Sequence, residues 1–358
     1  MYKSWLAIQM IPDKKINAFA ELGNQLRAIA SGYADIETEK VIAAASAANP
    51  WFDEDCVLYA LGAIGRSLSK EDLEQWLTSY SKKISPEKKK IVGVINAGNI
   101  PAVGFHDFLC VLMSGNIYHG KNSSDDSHLL PHIAALLKKI EPGFEEHINF
   151  VQRISNPDAV IATGSNNSAR YFEYYFKKYP HIIRKNRNGV ALLSGNETSE
   201  ELRGLADDVF RYFGLGCRNV SKVFVPEDFE LAKLFPAFES YSPISQHHRY
   251  MNNYNYQRVL LLMNKIPFLE NGFVILRESE PLHSPISVLH YEHYKNASDV
   301  FEKLSAKSEE VQCVAVGTDL LKKNPSEKLS LVSFGQTQNP KLWDYADGVD
   351  TMEFLVTL

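Results

Sequence analysis

The stretch "IVGVINAGNIPAVGFHDFLCVLMSGNIYHG", residues 91–120, decides the fold. It opens with a short β-branched run that ends in a turn of small residues. Residues 101–115 then carry apolar side chains at helical spacing and stop at a glycine, and a second short strand pattern follows. A strand, a helix and another strand in this order predict a βαβ unit, whose two strands lie parallel in one sheet.

The same alternation continues along the chain on both sides of this unit. Residues 1–80 show helical spacing, most clearly at 14–30, 37–48 and 55–67. Further strands are predicted at 159–165, 189–195, 272–276, 286–291 and 311–316, and further helices at 128–139, 198–212, 247–264 and 297–307. Strands interleaved with helices predict an α/β fold with parallel sheets covered on both faces, here in two α/β lobes with a hinge near 184–189.

This organisation predicts three parts of the chain. Residues 1–187 comprise N-terminal helices and the first lobe, and residues 188–335 comprise the second lobe. Residues 336–358 form a tail whose end, "VDTMEFLVTL", has a strand-like pattern. Such a strand could add to a sheet edge of the same chain or of a partner subunit. The tail therefore predicts a homo-oligomer.

Composition limits the classes of function. The 358 residues are 45% hydrophobic and 23% charged with a net charge of −5, so no overall positive field attracts nucleic acid. The start "MYKSWLAIQMIPDKK" lacks the basic and apolar parts of a signal peptide, and no apolar run reaches the length of a membrane span. These patterns indicate a cytoplasmic protein without a membrane span or a nucleic-acid partner.

The four cysteines lie far apart in the sequence, at Cys56, Cys110, Cys217 and Cys313. They form no C-x-x-C pair and do not cluster with histidine, which argues against a metal site or a disulfide framework. Each must be judged as a single thiol.

Cys217 stands out in "YFGLGCRNVSKVFV", residues 212–225. Gly214 and Gly216 end a helix and let the backbone approach a ligand closely. Arg218 would lower the thiol pKa, although neighbours in an extended stretch point to opposite sides. The residue is either a reactive thiol or a small, buried and inert side chain, and both interpretations stay open at this point.

Three turns follow predicted strands and open helices, which is where α/β sheets bind ligands. They are "NAGNIP" (96–101), "GKNSSDD" (120–126) and "ATGSNNS" (162–168). The last could aim backbone N–H groups at a phosphate, or Ser and Asn could simply cap the helix there.

The order and spacing of these pieces resemble the aldehyde dehydrogenase superfamily, and within it the acyl-CoA reductases first known from bacterial bioluminescence. The resemblance is clear over residues 90–225 and looser over 270–358. It implies a Rossmann-like cofactor lobe followed by a catalytic lobe. It also implies roles for single residues: Cys217 as nucleophile, Asn99 as oxyanion donor, Lys121 and Ser124 near the adenosine ribose, and Thr163, Gly164 and Ser165 near the pyrophosphate.

Departures from the superfamily pattern refine this expectation. Hydrolytic aldehyde dehydrogenases use a glutamate that activates water, but the matching stretch "HIIRKNRNG" (181–189) has no carboxylate. Ile100 replaces an aromatic residue beside Asn99. The glutamate that holds the nicotinamide ribose matches only Glu280 or Glu278.

The resemblance therefore implies reduction of an acyl-CoA, of the fatty acyl kind, to an aldehyde through a Cys217 acyl-enzyme, with NADPH as cofactor and NADH as the alternative. Members of this branch can work with an acyl-activating synthetase, which is the predicted partner. His106 and His248 are candidates for proton transfer. Three alternatives stay open: an NAD(P)-dependent aldehyde dehydrogenase working in the oxidative direction, a cysteine acyl hydrolase or acyltransferase without hydride transfer, and a non-catalytic nucleotide-binding protein.

Overall fold

The computed structural model describes residues 13–84, 89–321 and 328–358, and it confirms the predicted α/β class. The predicted helical character of residues 1–12 lies outside the described residues. The helices are α1 Asp13–Ala30, α2 Ile36–Ala48, α3 Glu54–Ser67, α4 Lys70–Thr78, α5 Phe105–Met113, α6 Leu129–Ile140, α7 Asn166–Phe176, α8 Ser199–Phe210, α9 Leu234–Phe238, α10 His248–Met263, α11 Ala297–Ala306, α12 Thr318–Leu321 and α13 Thr351–Val356. Short 3-10 turns lie at Ser124–Asp126, Pro142–His147, Arg211–Gly214, Leu231–Lys233, Glu239–Gln246 and Ala346–Gly348.

The strands are β1 Ile91–Ile95, β2 Ile117–Lys121, β3 Ile148–Phe150, β4 Ala159–Thr163, β5 His181–Arg184, β6 Asn188–Leu192, β7 Val220–Pro226, β8 Leu269–Glu270, β9 Ile275–Glu278, β10 Val288–Tyr294, β11 Val311–Val316 and β12 Leu331–Ser333. The chain divides into two units, one formed by Met1–Lys185 with Pro340–Leu358 and the other by Asn186–Asn339. Each unit contains one of the two sheets.

Local sequence explains where the N-terminal helices begin. Asp35, Asp53 and Ser69 stand immediately before α2, α3 and α4, and each side chain accepts a hydrogen bond from a backbone N–H of the first helical turn. Such N-caps satisfy donors that the helix itself leaves unpaired. The helices bury their apolar faces in a core that includes β1, α5, β2 and α6.

The first unit contains a parallel sheet in the order β3-β2-β1-β4-β5. Its central strand β1 is apolar because both faces are covered, and Val92 and Val94 are fully buried. The chain builds outward from β1 to β3 on one side and then returns to place β4 on the other side of β1. The carboxyl ends of β1 and β4 therefore flank the point where the strand order reverses, which is the usual position of a ligand.

The tail differs from its prediction as a strand. Residues Thr351–Val356 form helix α13, and Asp350 caps it by accepting a hydrogen bond from the Glu353 N–H. Thr351, Met352 and Leu355 are buried, and the latter two belong to the core of the first unit. The β-branched and aromatic residues suggested a strand, whereas the buried positions follow helical spacing and the sequence Asp-Thr-Met-Glu has the form of a capping box.

The second unit contains a sheet in the order β12-β11-β6-β7-β10-β9-β8. All neighbouring strands pair in parallel except β8, which runs antiparallel to β9. Every residue of the predicted strand "VQCVAV" is buried in β11. No helix within the described ranges combines the length and the apolar character needed to cross a membrane.

Candidate active site

Cys217 lies in a tight turn between helix α8 and strand β7, at the amino end of that strand. The Asn219 N–H donates to the Gly216 carbonyl over 3.0 Å, which closes a β-turn with Cys217 and Arg218 at its centre. Before the turn, Tyr212, Phe213 and Gly214 have φ angles of +53°, +57° and +76°. Left-handed conformation is costly for the two aromatic residues, so the surrounding packing must hold it. The thiol is half-buried.

The Asn219 side chain holds this turn in place through three hydrogen bonds. Its Oδ1 accepts the Gly216 N–H over 2.8 Å, and its Nδ2 donates to the carbonyls of Asp208 and Arg211 over 3.0 and 2.8 Å. Those carbonyls belong to the C-terminal end of α8, where a helix lacks internal donors. The side chain is 3% exposed. Asn219 therefore closes the turn and ties it to the end of α8.

The turn rests directly on the amino ends of β6 and β11. A Cβ on Gly189 would lie 2.5 Å from the Arg218 carbonyl oxygen and 2.6 Å from that of Asn219. Cys313 is opposite Gly189 in the β11–β6 ladder, and its Sγ donates to the Arg218 carbonyl over 3.8 Å. The lack of a side chain at Gly189 is what lets the turn and the second thiol come together.

Asp208 connects α8 to the segment that follows β12. Its carboxylate accepts hydrogen bonds from the N–H groups of Gly335 and Thr337, at 2.7 and 3.0 Å, and from the Thr337 hydroxyl at 2.8 Å. Burial raises the pKa of Asp208 to about 6, although these hydrogen bonds oppose the rise. Asp208 thus holds the segment after β12 through its side chain, and it holds the Cys217 turn through its backbone carbonyl, which accepts a hydrogen bond from Asn219.

His248 is the sequence-based candidate for proton transfer, but its neighbour His247 is the residue that contacts the segment before the Cys217 turn. His248 is exposed at the first position of α10. The His247 ring lies 4.3 Å from the Phe213 ring, centroid to centroid, and its Nδ1 caps the helix by accepting the Tyr250 N–H. No sequence pattern distinguished the two residues.

Glu280 lies in the crossover between β9 and β10. Its side chain is exposed, while its backbone carbonyl accepts a hydrogen bond from Lys222 Nζ over 2.7 Å. Glu278, the other match, is exposed at the end of β9. Within residues 13–84, 89–321 and 328–358, neither carboxylate makes a hydrogen bond to the Cys217 turn.

A cleft of about 490 Å³ lies at the other end of this sheet, where β6 and β11 end. Its lining includes Glu197 and Glu201, whose carboxylates accept hydrogen bonds from Ser194, Thr198 and Thr318. Glu201 caps the starts of α8 and α12 by accepting the N–H groups of Thr198 and Thr318, whereas Glu197 accepts hydrogen bonds within the loop that precedes α8. The cleft is separate from the Cys217 turn because the latter precedes β7.

In the first unit, Asn99 is half-buried in the loop between β1 and α5. The buried Asp126 holds this loop, because its Oδ2 accepts the N–H of Ala102, a residue with a φ of +52°. Burial raises the pKa of Asp126 to about 6. Asn49 adds a second link, since its Nδ2 donates to the carbonyls of Gly98 and Asp125. These hydrogen bonds therefore hold the turns after β1 and β2 together.

Asn96 occupies the carboxyl end of β1 within this structure. Its Nδ2 donates to the Tyr118 hydroxyl and to Asn122 Oδ1, each over 2.8 Å. Its Oδ1 is buried and lacks a hydrogen-bond partner among the described residues. Close approach of the two turns also requires Gly98, because a Cβ there would lie 2.8 Å from Ser123.

Five of the six predicted cofactor residues lie at the carboxyl edge of the first sheet, whereas Glu280 belongs to the second unit. Lys121 is exposed at the end of β2, opposite Ile95 of β1, and Ser124 is exposed in the 3-10 turn that follows. Thr163 ends β4 and is followed by Gly164. Ser165 caps α7 by accepting the Ser168 N–H over 3.2 Å, which confirms the predicted cap, and its place near the pyrophosphate stays a prediction.

His106 is held by packing within the first unit. Its Nε2 lies 2.9 Å from the Leu342 carbonyl and its Nδ1 lies 3.8 Å from Cys110 Sγ. Its ring also contacts those of Trp76 and Tyr345. Both ring nitrogens are thus engaged by neighbours in the fold.

The first unit has the topology at which open α/β sheets bind ligands. Its three predicted turns follow β1, β2 and β4 and so surround the reversal of strand order. At that edge Lys121 and Ser124 are exposed and Asn99 is partly exposed, so their polar groups are open to a ligand. Elsewhere in the described part of the chain, no group of three or more His, Cys, Asp or Glu side chains is arranged to hold a metal ion.

Sequence reasoning missed the residues that brace these turns: Asn49, Asn96, Asp126, Gly189, Asp208, Asn219 and Cys313. Asn96, Asp126 and Asn219 do lie within the quoted stretches 96–101, 120–126 and 212–225, and Gly189 ends the stretch 181–189. Asn49, Asp208 and Cys313 come from positions that no local pattern connects to these turns.

Comparisons with known proteins agree with the resemblance. Residues 65–233 match a family model described as acyl-CoA reductase (LuxC). No curated protein sequence matches the chain. The matched range contains Asn99, Lys121, Gly164 and Cys217 but neither His248 nor Glu280.

Several solved structures share the fold. The aldehyde dehydrogenase KauB from Pseudomonas aeruginosa is 12% identical, with a TM-score of 0.61 over 93% of this chain and 81% of that one. An aldehyde dehydrogenase from Bacillus cereus in complex with NAD+ is 16% identical, with a TM-score of 0.60 over 92% and 76%. The glyceraldehyde-3-phosphate dehydrogenase GapN from Methanocaldococcus jannaschii, complexed with NADP, is 13% identical, with a TM-score of 0.59 over 94% and 86%. The predicted resemblance to the acyl-CoA reductase branch of the aldehyde dehydrogenase fold is thereby confirmed.

Proposed function

We propose that this protein is a nicotinamide-dependent oxidoreductase that reduces an acyl-CoA thioester to the aldehyde, with Cys217 as the nucleophile. The observation that carries the proposal is the Cys217 turn: a half-buried thiol on a turn closed by Asn219, within the range that matches the acyl-CoA reductase family. A buried inert cysteine would not need such a support. Cys313, which is fully buried beneath the turn, shows the contrast.

In the first step, the Cys217 thiolate attacks the thioester carbonyl carbon. The carbonyl oxygen becomes an anion, and hydrogen-bond donors that are already in place stabilise it. We assign this role to the Cys217 backbone N–H and, on the resemblance alone, to the Asn99 side-chain amide. The carbon–sulfur bond to coenzyme A then breaks, coenzyme A leaves as a thiolate, and the acyl group remains on Cys217.

The second step needs a reduced nicotinamide, which would supply hydride to the carbon of the enzyme-bound thioester when it is bound. The bond between the carbon and Cys217 Sγ then breaks, which releases the aldehyde and restores the thiolate. We propose that Lys121, Ser124 and the Thr163–Ser165 turn hold the cofactor, and that Glu280 contributes to its ribose site.

The stretch 181–189 supports reduction over hydrolysis. It contains no carboxylate that could activate water, and Arg184 within it is buried in an ion pair with Asp107. An acyl-enzyme without a nearby base would persist until it is reduced. Coenzyme A leaves as a stable thiolate, so His106 and His248 are not needed for the first step and stay predictions.

The test follows reduced-cofactor absorbance, coenzyme A release and aldehyde formation together. Purified protein is mixed with saturated acyl-CoA esters of two to sixteen carbons and either NADPH or NADH. We expect the three signals to appear in a one-to-one-to-one ratio, with the best rates for long acyl chains and NADPH. Cys217→Ser should lower the rate by at least about 10³-fold. Cys313→Ser is the matched control, because it removes the other thiol of the same unit and keeps a donor for the Arg218 carbonyl.

Other outcomes identify the alternatives. Coenzyme A release without cofactor oxidation would indicate a hydrolase or acyltransferase. Activity only with aldehyde and oxidised cofactor would indicate a dehydrogenase that works in the oxidative direction. Full activity in Cys217→Ser would refute the assignment of the nucleophile. Activity only after addition of an acylated protein would retain the chemistry and change the donor.

A further inference from the structure

We propose that Asn219 is a positioning residue for Cys217, an inference that rests on the proposed role of Cys217 as the nucleophile. Asn219 does not reach the reacting atoms in this proposal. Its side chain fixes the turn that carries the thiol, by joining the Gly216 N–H on one side to the end of α8 on the other.

All the polar groups of the Asn219 side chain are used within the turn and the helix end. One oxygen accepts one donor, and the amide nitrogen donates to two carbonyls, those of Asp208 and Arg211. An Asn side chain can do this because it combines an acceptor and two donors in one plane. Aspartate lacks the donors, and alanine lacks both functions.

The turn needs such an anchor because the chain before it is intrinsically loose. Gly214 and Gly216 have no side chains to pack, and glycine samples more backbone conformations than any other residue. Asn219 holds Gly216 through both its side chain and its backbone N–H. Since a displacement of about 1 Å at a reacting group can lower a rate by about 10²-fold, this restraint bears directly on catalysis.

A purely structural role makes a different prediction. If Asn219 only capped α8, its removal would lower stability and leave the reactivity of folded Cys217 unchanged. Asn271 provides the matched comparison, because its Oδ1 also holds a turn in the same unit by accepting the N–H groups of Phe273 and Val274. Asn271 lies between β8 and β9, outside the turn that carries Cys217.

The experiment compares Asn219→Ala and Asn271→Ala with the wild type, all as full-length protein. Peptide mass spectrometry measures the rate at which iodoacetamide alkylates Cys217, thermal melting measures stability, and steady-state assays give kcat and KM. For Asn219→Ala we expect kcat to fall by about 10- to 100-fold with KM for acyl-CoA changed less than about threefold. The alkylation rate should change by at least about fivefold. Asn271→Ala should lower the melting temperature and leave both kcat and alkylation unchanged.

Asn219→Asp separates the two functions of the side chain. It keeps the acceptor for Gly216 but aims a carboxylate at the carbonyls of Asp208 and Arg211, and protonation would restore one donor. The alkylation rate of this variant relative to wild type should therefore move toward one as the pH falls from 8 to 6. A ratio that does not change with pH would contradict the anchoring role.

Wild-type kcat and alkylation in Asn219→Ala would overturn the proposal, as would equal losses in Asn271→Ala. The alkylation comparison needs no enzymatic turnover. A wild-type protein that fails to reduce acyl-CoA would refute the proposed function, while the alkylation rates would still decide whether Asn219 positions the thiol.

Discussion

The ion pair between Arg184 and Asp107 is one of the most buried charge interactions in the first unit. Arg184 ends β5, Asp107 lies on the first turn of α5, and their side chains are 6% and 8% exposed. Arg184 Nη2 also donates to the Thr351 hydroxyl over 2.8 Å, which links both elements to the start of α13. Burial opposes the charge on Arg184, but the charge and hydrogen bond of Asp107 outweigh it and raise the pKa of Arg184.

Replacing Arg184 by methionine should leave the Asp107 carboxylate buried and unpaired. Breaking a buried pair in this way costs about 3–5 kcal/mol of unfolding free energy, and the lost bond to Thr351 adds about 1 kcal/mol. The double variant Asp107→Leu/Arg184→Met removes both charges. It should recover most of the loss, because an apolar pair of similar volume is often as stable as a buried ion pair.

Urea unfolding followed by intrinsic fluorescence measures these differences. Lys139→Met is the control: its pair with Glu37 is about 60% exposed on both sides, and the variant should unfold at the wild-type midpoint. A penalty below about 1 kcal/mol for Arg184→Met, or no recovery in the double variant, would refute this account of the pair.

Three further predictions concern single residues. Gly189→Ala should lower the unfolding free energy of the second unit by about 1–3 kcal/mol and alter Cys217 alkylation, because the new methyl group collides with the Arg218 carbonyl; wild-type values for both would contradict the close packing of the turn. Burial raises the pKa of Asp126 from 3.8 to about 6, so the folded protein holds this proton more tightly than the unfolded chain. The protonated side chain therefore contributes up to about 3 kcal/mol of unfolding free energy, which is complete below pH 3.8 and is lost as the pH rises through 6. Urea unfolding between pH 4 and 7 should show a smaller decline of the unfolding free energy for Asp126→Asn than for wild type. Leu355→Ala should lower the unfolding free energy by about 2–5 kcal/mol, as measured by thermal or urea unfolding, because the residue lies in the core of the first unit. A negligible loss would contradict the burial of the tail and favour the predicted surface strand.

The regular elements were predictable wherever local signals agreed with burial. The strand "VQCVAV" and β1 are apolar on both faces because a parallel sheet covers both, and the predicted positions match Val311–Val316 and Ile91–Ile95. The helices at 14–30, 37–48 and 55–67 follow from apolar periodicity and from the caps that precede two of them. The tail failed because β-branched residues outweighed a short capping pattern, and a helix of six residues shows little periodicity.

Some residues of the candidate site could likewise be named from the sequence, and others could not. Cys217, Asn99, Lys121 and Gly164 could be named from the sequence because each lies in a turn directly after or before a strand, where chemistry-bearing residues of an α/β fold occur. The sequence predicted a role for His248 rather than His247, whereas His247 is the residue that packs against Phe213. The two are adjacent histidines, and the packing at the start of α10 decides which of them contacts Phe213.

The sequence by itself determined the α/β class, the two lobes, the resemblance to acyl-CoA reductases and the turn that carries the thiol, because these depend on residues close together in the chain. Only the tertiary structure decided how the turns are held. Gly189, Asp208 and Cys313 meet the Cys217 turn through strand register and the course of α8, and Asn49 and Asp126 brace the Asn99 loop through the packing of separate helices and turns. Such long-range contacts depend on the exact pairing of strands and on buried hydrogen bonds, and neither leaves a periodic pattern in the sequence.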